Sequence, residues 1–432
     1  MNRIILIGNG FDLAHGLKTS YKDFIDWFWE ETTKKIKVRI GKNYEDDFLS
    51  VSSGLGTWYS THGNTNYQDL LLNLKKVGIR MIFKNSFLEI ITQKKNLQDW
   101  VDIEEEYYQQ IKNIVKNYSQ YYKNIRGKGI TKLNDEFENI KKELEKYLTN
   151  VANNSKPKID EIYDIFYENF MLQDFPSRRE NLLIEYTSNT IIYNDRDDNG
   201  YYRRLRDEII KIIMHEYKID ISDVAKKHIN EFLTERDYRD YYLSKTYPQN
   251  VLLLNFNYTN TEFSYSKYED YKKSKFLNYL PFLHIDTIHI HGELKNENNP
   301  IIFGYGDELA DEYKEIEKLY DKDYFKNVKS IKYTKTKNYR ELLNFIGSDY
   351  YQIYILGHSC GNSDRTLLNT LFEHENCVSI KPFFYEKEEN GKKTDDYEDI
   401  IINMSRNFND KKAFREKVAN RTYCRPLPQM QK

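Results

Sequence analysis

The amino-acid sequence predicts an α/β protein in which a mostly parallel, Rossmann-like sheet is flanked by helices and interrupted by a large helical insertion. An apolar run at residues 4–7 breaks into the turn Gly8-Asn9-Gly10 and is followed by a helical pattern, which is the order of a nucleotide-binding unit. Short apolar runs return only after residue 250, and most of the chain between has the apolar spacing of helices. The sheet is therefore predicted to use both ends of the chain.

The first long helix is predicted to follow Thr19-Ser20, because a hydroxyl cap candidate precedes apolar residues at helical spacing. Residues 46–75 are polar and glycine-containing, and we expect a connecting loop region. Residues 76–245 form the predicted helical insertion domain, with its clearest helices at 140–148 and 205–213 and an exposed connection at 194–200. Residues 1–45 plus 246–432 then form one discontinuous α/β domain.

The carboxyl-terminal half carries the remaining predicted strands. Each is a short apolar run ended by glycine or asparagine, as expected of buried parallel strands. The predicted strands cover 251–257, 287–291, 301–303 and 352–356, and helices at 339–346 and 364–374 are predicted to cover the sheet.

Composition excludes several classes of protein. The 432 residues contain 65 lysines and arginines against 67 aspartates and glutamates, so the net charge of −2 indicates neither a nucleic-acid partner nor an anionic membrane surface. Cys360, Cys377 and Cys424 are far apart, which is typical of neither a disulfide framework nor a zinc ribbon. No apolar run is long enough for a membrane span or a signal-peptide core. We expect a cytoplasmic protein without a membrane partner.

Four predicted strand ends carry polar groups, and ligands of open α/β sheets bind beyond such carboxyl ends. The first, Gly8-Asn9-Gly10, has Leu13 where a dinucleotide fingerprint has its third glycine, which argues against an ordinary dehydrogenase. Backbone N–H groups of such a turn suit a diphosphate, and a tight turn without a ligand is the alternative. The other ends are Asn255 to Thr259, His289 to Glu293 and Gly357 to Asp364.

The later strand ends offer catalytic and binding candidates. The amide of Asn257 can hold a ribose hydroxyl or a water, or it can simply form a turn. His289 and His291 share a face of a strand, but no third ligand is evident, so we expect no metal. His291 precedes Gly292, which allows close approach of a substrate, and is a candidate general base or a hydrogen-bonded core histidine. Asp364 is a helix cap or, like a nearby serine, a ribose ligand.

In this order, the segments resemble the SIR2-like superfamily, and the chain as a whole resembles the AbiH family of bacteriophage abortive-infection proteins. Gly8, Gly10 and Gly16 match the first, third and ninth positions of the sirtuin-type turn. Tyr21-Lys22-Asp23-Phe24 stands where that superfamily carries proline-aspartate-phenylalanine, and Trp100 to Glu104 resembles an AbiH signature. The AbiH resemblance spans nearly the whole chain, whereas the SIR2-like part covers residues 1 to about 30 and 250 to 375.

The resemblance implies that NAD is bound and that water cleaves its nicotinamide glycosidic bond. Asn257 and His291 take the places of the catalytic asparagine and histidine. Asp12 departs from the small or hydroxyl residue usual at its position, and the four-cysteine zinc module of sirtuin deacetylases is missing, so deacetylation is not expected. The implied nucleotide-binding set is Gly8, Asn9, Gly10, Phe11, Asp12, Gly16, Tyr258, Gly292, Gly357, Ser359 and Asp364.

Two other classes of function stay open. The carboxylates at Asp102, Glu104, Glu105 and Glu106 are candidates for a magnesium-dependent nuclease site, or they form a solvated helix face. Alternatively, the α/β domain is a non-catalytic nucleotide sensor whose helical insertion contacts a phage component or another subunit. We expect a homo-oligomer with a closed site that assembly or a phage-derived trigger opens.

Overall fold

The computed structural model describes residues 1–38, 43–52, 66–76, 78–94, 100–116, 126–153, 158–176, 247–266, 284–389 and 391–430. The helix predicted at 205–213 and the connection predicted at 194–200 lie outside these residues. Across the part that is described, no helix combines the length and the apolar character needed to cross a membrane.

The described residues contain ten strands in three sheets. They are β1 (Asn2–Ile7), β2 (Tyr44–Glu45), β3 (Leu49–Val51), β4 (Met81–Phe83), β5 (Asn250–Asn255), β6 (His284–His289), β7 (Tyr351–Leu356), β8 (Cys377–Phe383), β9 (Glu386–Glu389) and β10 (Lys392–Asp395). The central sheet has the order β6-β5-β1-β7-β8, and all of its pairings are parallel. The predicted α/β class is confirmed.

The helices of the described residues lie in three groups along the chain. The first two follow β1, the next five lie between β2 and β5, and the rest follow β6. They are α1 (Asn9–Ala14), α2 (Tyr21–Val38), α3 (Tyr67–Lys76), α4 (Ser86–Gln93), α5 (Trp100–Lys116), α6 (Arg126–Ala152), α7 (Asp160–Tyr167), α8 (Asp311–Glu317), α9 (Lys329–Tyr333), α10 (Asn338–Ser348), α11 (Arg365–Glu373), α12 (Tyr397–Asn407) and α13 (Lys411–Lys417).

The strand order reverses at β1. From β1 the chain continues to β5 and β6 on one side, then returns to β7 and β8 on the other. Ile5 of β1 is accordingly paired with Leu253 on one side and Tyr354 on the other, and all three are fully buried. The crevice beyond the carboxyl ends of β1 and β7 is thus the topological switch point, where α/β sheets bind ligands.

Each face of the central sheet has its own apolar core. Leu342 of α10, Leu368 of α11 and Met404 of α12 pack on one face. On the other face, Phe11 of α1 and Phe166 of α7 pack against the alternate residues of β1 and β5. The period of two along the strands places neighbouring residues in different cores.

A third apolar core contains residues from well-separated parts of the chain. Its members come from α2 to α6, from the small antiparallel sheet β2-β3-β4, and from the segment that follows β6. Phe137 of α6 stacks on Phe303 with a centroid distance of 4.8 Å, and Tyr108 of α5 stacks on Tyr305 at 4.3 Å. These aromatic contacts join the insertion to the chain that leaves β6.

The beginning of α2 confirms the predicted cap. The N–H of Asp23 donates to Ser20 Oγ at 3.1 Å, and the N–H of Ser20 donates to Asp23 Oδ2 at 3.2 Å. This reciprocal arrangement is a capping box, with aspartate in place of glutamate.

Three segments differ from the sequence-based expectations. Residues 301–303 are not a strand; the N–H of Ile302 donates to the His291 carbonyl at 2.7 Å, and insertion residues cover this segment. Within 46–75, β3 and most of α3 replace the expected loop, because Leu49 and Val51 alternate with Ser50, and Leu70 and Leu74 bury one helix face. Strand β8 was not predicted, since Lys381 and Pro382 interrupt its apolar pattern; it is the edge strand of the central sheet, where proline is tolerated.

Candidate functional site

Two residues predicted for the site, His291 and Asp364, meet in the interior at the carboxyl edge of the sheet. His291 Nε2 lies 3.0 Å from Asp364 Oδ1 and 3.1 Å from the Tyr333 hydroxyl. His291 follows β6 by two residues, and Asp364 directly precedes α11. Asp364 occupies the predicted N-cap position of α11, but its side chain makes no capping hydrogen bond and turns to His291 and Lys329 instead.

A buried cation extends this pair toward the insertion. Lys329 Nζ, at the beginning of α9, lies 2.9 Å from Asp364 Oδ1 and 2.7 Å from Glu104 Oε2 of α5. The N–H of Gly304 donates to the other Glu104 oxygen at 3.2 Å. All four side chains are nearly inaccessible to water. We call Glu104, Lys329, Asp364 and His291 the charged cluster.

A second imidazole stands beside Asp364. The Cys360 N–H donates to His358 Nδ1 at 3.0 Å, so a neutral His358 carries its proton on Nε2, which lies 3.7 Å from Asp364 Oδ2. The Phe256 ring contacts both imidazoles, with centroid distances of 5.0 Å to His291 and 4.2 Å to His358. This apolar ring helps to exclude water from the pair.

The charges of the cluster set its protonation states. Burial and the Lys329 ammonium lower the pKa of His291, although Asp364 opposes them. Burial alone would raise the pKa of Asp364, but Lys329 and His291 hold it well below its usual range. Burial disfavours the charged form of Lys329, but the carboxylates of Asp364 and Glu104 raise its pKa. For Glu104, burial has the largest effect and raises the pKa. Near neutral pH, therefore, a neutral His291 faces an ionised Asp364.

The geometry also selects the tautomer of His291. A carboxylate accepts hydrogen bonds only, so a neutral ring with Nε2 3.0 Å from Asp364 carries its proton on Nε2. Nδ1 is then the basic nitrogen. A carboxylate that orients an imidazole in this way is the arrangement of a general base.

Asn257 and Tyr258 connect the turn after β5 to its neighbours. Asn257 Nδ2 donates to the Gly8 carbonyl at 2.9 Å, and its N–H donates to Asn255 Oδ1 at 2.7 Å. The Tyr258 hydroxyl donates to the Ile302 carbonyl at 3.2 Å. Burial, together with the charges of Glu104 and Asp364, raises the pKa of Tyr258 well above its usual value. These two hydrogen bonds hold Asn257 in place, so the group that its side chain can offer to a ligand is the acceptor Oδ1.

The glycine turn after β1 packs directly on the turn after β7. Gly10 N–H donates to the Gly357 carbonyl at 2.8 Å, and Gly8 N–H donates to the Leu356 carbonyl at 3.1 Å. A Cβ on Gly8 would lie 2.5 Å from His358 Cα. These two N–H groups are satisfied within the protein, and the glycines serve this close approach.

The other residues implied by the resemblance have varied surroundings. Asn9 begins α1, Phe11 is a core residue, and Gly16 has a left-handed φ of 73° after α1. Buried Asp12 accepts a hydrogen bond from the Thr259 hydroxyl, which ties the first turn to the turn after β5. The Pro300 carbonyl fills the space beside Gly292, lying 2.2 Å from the position of a Cβ. Ser359 is exposed, so its side chain lies outside the charged cluster.

A second buried pair of a histidine and a carboxylate includes His289, two residues before His291. His289 Nε2 is 2.8 Å from Glu262 Oε1, and Asn255 Nδ2 donates to Glu262 Oε2 at 2.7 Å. Burial opposes ionisation, but Glu262 raises the pKa of His289. The histidines at 289 and 291 thus have different partners and pKa values displaced in opposite directions.

Sequence reasoning did not assign Glu262, Lys329, Tyr333 or His358 to the site. Glu262 and His358 lie in or beside the polar strand ends, so their positions in the sequence could have identified them as site residues. Lys329 and Tyr333 lie in a lysine- and tyrosine-rich stretch between strands, where nothing distinguishes them from surface residues.

The carboxylates of the nuclease alternative do not converge. Glu104 pairs with Lys329, Glu106 pairs with Lys94, and Glu105 accepts a hydrogen bond from Gln109 at 2.7 Å. Glu104 and Glu106 are also buried, so they are not part of a solvated helix face. Over the described ranges, no three histidine, cysteine, aspartate or glutamate side chains are grouped to hold a metal ion.

The described residues form a cleft of about 200 Å³. It lies between the end of α6 and the turns that follow β5 and β6. Tyr258 lines the cleft, while its hydroxyl group is held by the segment that carries Ile302. Its lining residues are Thr149, Ala152, Asn153, Tyr258, Thr259, Asn260, Glu293, Leu294 and Lys295.

The doubly wound parallel sheet and the buried imidazole–carboxylate pair at its carboxyl edge define a Rossmann-like α/β protein with a candidate site near its switch point. A family model described as "Bacteriophage abortive infection AbiH" matches residues 4–386, which include most of β1 and all of β2 to β8. The chain belongs to the AbiH family, and the family indicates a role in bacteriophage abortive infection. The chain matches no curated protein and no solved structure.

Proposed function

We propose that this abortive-infection protein hydrolyses NAD at the nicotinamide glycosidic bond, in a SIR2-like α/β domain formed by residues 1–45 and 246–432. The observation that carries the proposal is the buried His291–Asp364 pair, in which a neutral imidazole is oriented by an ionised carboxylate at 3.0 Å. It stands at the carboxyl edge of a parallel sheet, the usual ligand-binding edge of this architecture.

The pair suits general-base chemistry. As the bond from the ribose carbon to nicotinamide breaks, water adds to that carbon, and His291 Nδ1 accepts the proton of the water or of a ribose hydroxyl. Asp364 stabilises the imidazolium that forms, and nicotinamide leaves with the electron pair of the broken bond. Such a base contributes about 10²- to 10⁴-fold to the rate. Asn257, anchored on the Gly8 carbonyl, positions the water or the ribose through its side-chain oxygen.

The cleft offers a route for the dinucleotide. Because Gly8 and Gly10 use their N–H groups internally, side chains of the cleft are better placed than the glycine turn to receive the diphosphate. Exposed Lys295 supplies positive charge there, and Thr259 and Asn260 supply polar groups. Tyr258 lines this cleft and also faces the charges of Glu104 and Asp364, and the proposed reaction requires the dinucleotide to pass it to reach His291.

The burial of the site supports a resting state that awaits activation. His291, Asp364 and Asn257 are each exposed by 9% or less. A cytoplasmic NAD hydrolase that remained active would harm its own cell, so we propose that a phage-derived trigger or homo-oligomer assembly opens the site.

The direct test is to incubate the purified protein with NAD, with and without magnesium, and to measure nicotinamide by chromatography. His291→Ala and Asn257→Ala should lower the release of nicotinamide by about 10²-fold or more. The matched control is His284→Ala, because His284 lies in β6, the strand that leads to His291, but is exposed and pairs with Asp286 at the surface. The assignment fails if the first two variants release nicotinamide as fast as the parent.

One observation favours a second candidate, a nucleotide sensor without turnover. Asp12 is buried at the first turn, where its carboxylate would repel a diphosphate bound close to the glycines. Calorimetric NAD binding by a parent that releases no nicotinamide would identify the sensor.

A further inference from the structure

The charged cluster draws its members from both the insertion and the α/β part of the chain. Glu104 belongs to α5 of the insertion, whereas His291 and Asp364 follow strands of the central sheet. Lys329 joins them, with its ammonium within 2.9 Å of both carboxylates and its side chain 1% exposed. A buried ion pair of this kind contributes little net stability compared with apolar residues of the same size. Its position beside His291 therefore calls for another explanation.

We propose that Lys329 is a positioning residue of the candidate site and that Glu104 holds it there, so that the helical insertion completes the site across Asp364. Lys329 fixes Asp364 as an ionised acceptor for His291 Nε2–H and opposes the charging of the imidazole. Glu104 fixes the ammonium and partly offsets its charge. Through this contact, the position of α5 determines the charge state of His291.

The groups that face His291 come from several elements. Asp364 and Tyr333 contact its Nε2, the Lys329 ammonium contacts the same Asp364 oxygen, and His358 Nε2 lies 3.7 Å from the other Asp364 oxygen. Tyr333 stays neutral because burial raises its pKa well above the usual value. The ionised groups nearest to His291 are therefore Asp364 and Lys329, with Glu104 behind the ammonium.

Removal of each charge has an expected sign. Lys329→Met removes the cation, so Asp364 favours the imidazolium and the pKa of His291 should rise by about one unit or more. Glu104→Gln removes an anion of similar shape and leaves the ammonium less compensated. The pKa of His291 should then fall further, by a smaller amount. If Lys329 and Glu104 were only structural, both substitutions would let water into the site, and the pKa of His291 would move toward about 6.5 in both variants.

The experiment is a titration of the full chain labelled with ¹⁵N-histidine, followed by NMR. The His291 signal is identified by its loss in His291→Gln. The matched controls are Lys332→Met on the same helix, whose ammonium binds Asn327 Oδ1 at 3.0 Å, and Glu105→Gln beside Glu104. The wild-type midpoint should lie below about 6.5, shift upward in Lys329→Met and downward in Glu104→Gln, and stay in place in both controls. An unchanged midpoint in Lys329→Met, or equal upward shifts in both test variants, overturns the proposal.

A double variant keeps the test valid if Lys329→Met does not fold, because that variant leaves two buried carboxylates without a cation. Lys329→Met/Glu104→Gln removes both charges and leaves Asp364 beside His291. It should unfold at a higher temperature than Lys329→Met, and its His291 midpoint should lie above that of the wild type. A wild-type midpoint in the double variant contradicts the proposal.

The consequence for turnover rests on the proposed function. If NAD is hydrolysed, the acidic limb of the rate–pH profile should move upward in Lys329→Met by the same shift as the NMR midpoint. If no variant releases nicotinamide while the midpoints shift with the expected signs, the proposed reaction fails and the positioning role of Lys329 stands. If the midpoints stay unchanged while turnover is normal, the positioning role fails and the proposed reaction stands.

Discussion

At the scale of single residues, the switch point depends on backbone atoms that touch. Gly357 has a left-handed φ of 72°, and a Cβ there would lie 2.1 Å from the Phe11 nitrogen. Two features therefore require glycine at this position: its left-handed backbone conformation and the first turn packed against it. The pattern of glycines that resembles a phosphate-binding turn also has this purely structural basis.

Gly357→Ala should therefore lower the free energy of unfolding by about 2–4 kcal/mol, since a left-handed alanine and a backbone clash each have a cost. Gly347→Ala is the matched control: it lies in α10, and nothing lies within 4 Å of its added Cβ. That substitution should stabilise by about 0.5–1 kcal/mol, because alanine is the better helix residue. Urea unfolding of the two variants measures both values, and equal stabilities would contradict the packing argument.

At the scale of elements, buried polar contacts hold the segment from α7 to residue 174 against the central sheet. After α7, Asp174 lies 2.9 Å and 3.0 Å from Lys381 Nζ of β8, and Ser379 Oγ donates to the Asp174 carbonyl at 2.6 Å. Arg3 of β1 donates to the Glu168 carbonyl at 2.6 Å and lies 4.2 Å from the centre of the Tyr354 ring. The chain from α7 to residue 174 is therefore anchored to β1 and β8.

Lys381→Met should destabilise the protein by about 3–5 kcal/mol, because it leaves the Asp174 carboxylate buried without its cation. Burial already raises the pKa of Asp174 against the effect of Lys381, and the loss of Lys381 raises it further. A folded state with the higher carboxyl pKa gains relative stability as pH falls, so the destabilisation should be smaller at about pH 5 than at about pH 8.

Lys393→Met is the control for this experiment, since the Lys393–Glu386 pair lies at the surface and its loss should leave stability nearly unchanged. Urea unfolding at the two pH values separates the two explanations. A pH-independent loss in Lys381→Met would mean that packing, rather than the buried charge, explains it.

The elements that sequence predicted best are those whose pattern is local. Strands β1, β5 and β7 are mostly apolar runs, β6 alternates apolar and polar residues, and α2 has its cap in the sequence. Strand β8 was missed because Ser379 and Lys381 break its pattern, and their burial depends on Asp174, some 200 residues away. Likewise, His291 and Asp364 stand at strand ends where sequence points to them. Lys329 and Glu104 join the site only through tertiary contacts, which no local pattern records.

At the scale of the whole molecule, the insertion closes the functional edge of the sheet. Trp100, at the beginning of α5, donates from Nε1 to the Thr19 carbonyl at 2.8 Å and packs edge-on against Phe303. Four residues further along the same helix, Glu104 reaches the charged cluster. One helix thus contacts the chain that follows the first strand, the segment that leaves β6, and the site itself. His291 is only 5% exposed, so the proposed reaction requires this edge of the sheet to open.

This closure predicts the kinetics of NAD binding. If the site opens before NAD enters, the observed rate of binding should reach a plateau at high NAD concentration, because the opening step then limits it. Stopped-flow tryptophan fluorescence measures this rate, and Trp100→Phe should remove much of the signal, since Trp100 is the indole at the contact that opens. An observed rate that increases linearly with NAD, at about 10⁵–10⁷ M⁻¹s⁻¹ throughout, would contradict the closed arrangement. A plateau that rises in Glu104→Gln would place the limiting step at the contact between α5 and Lys329, because that variant weakens the contact without touching the sheet.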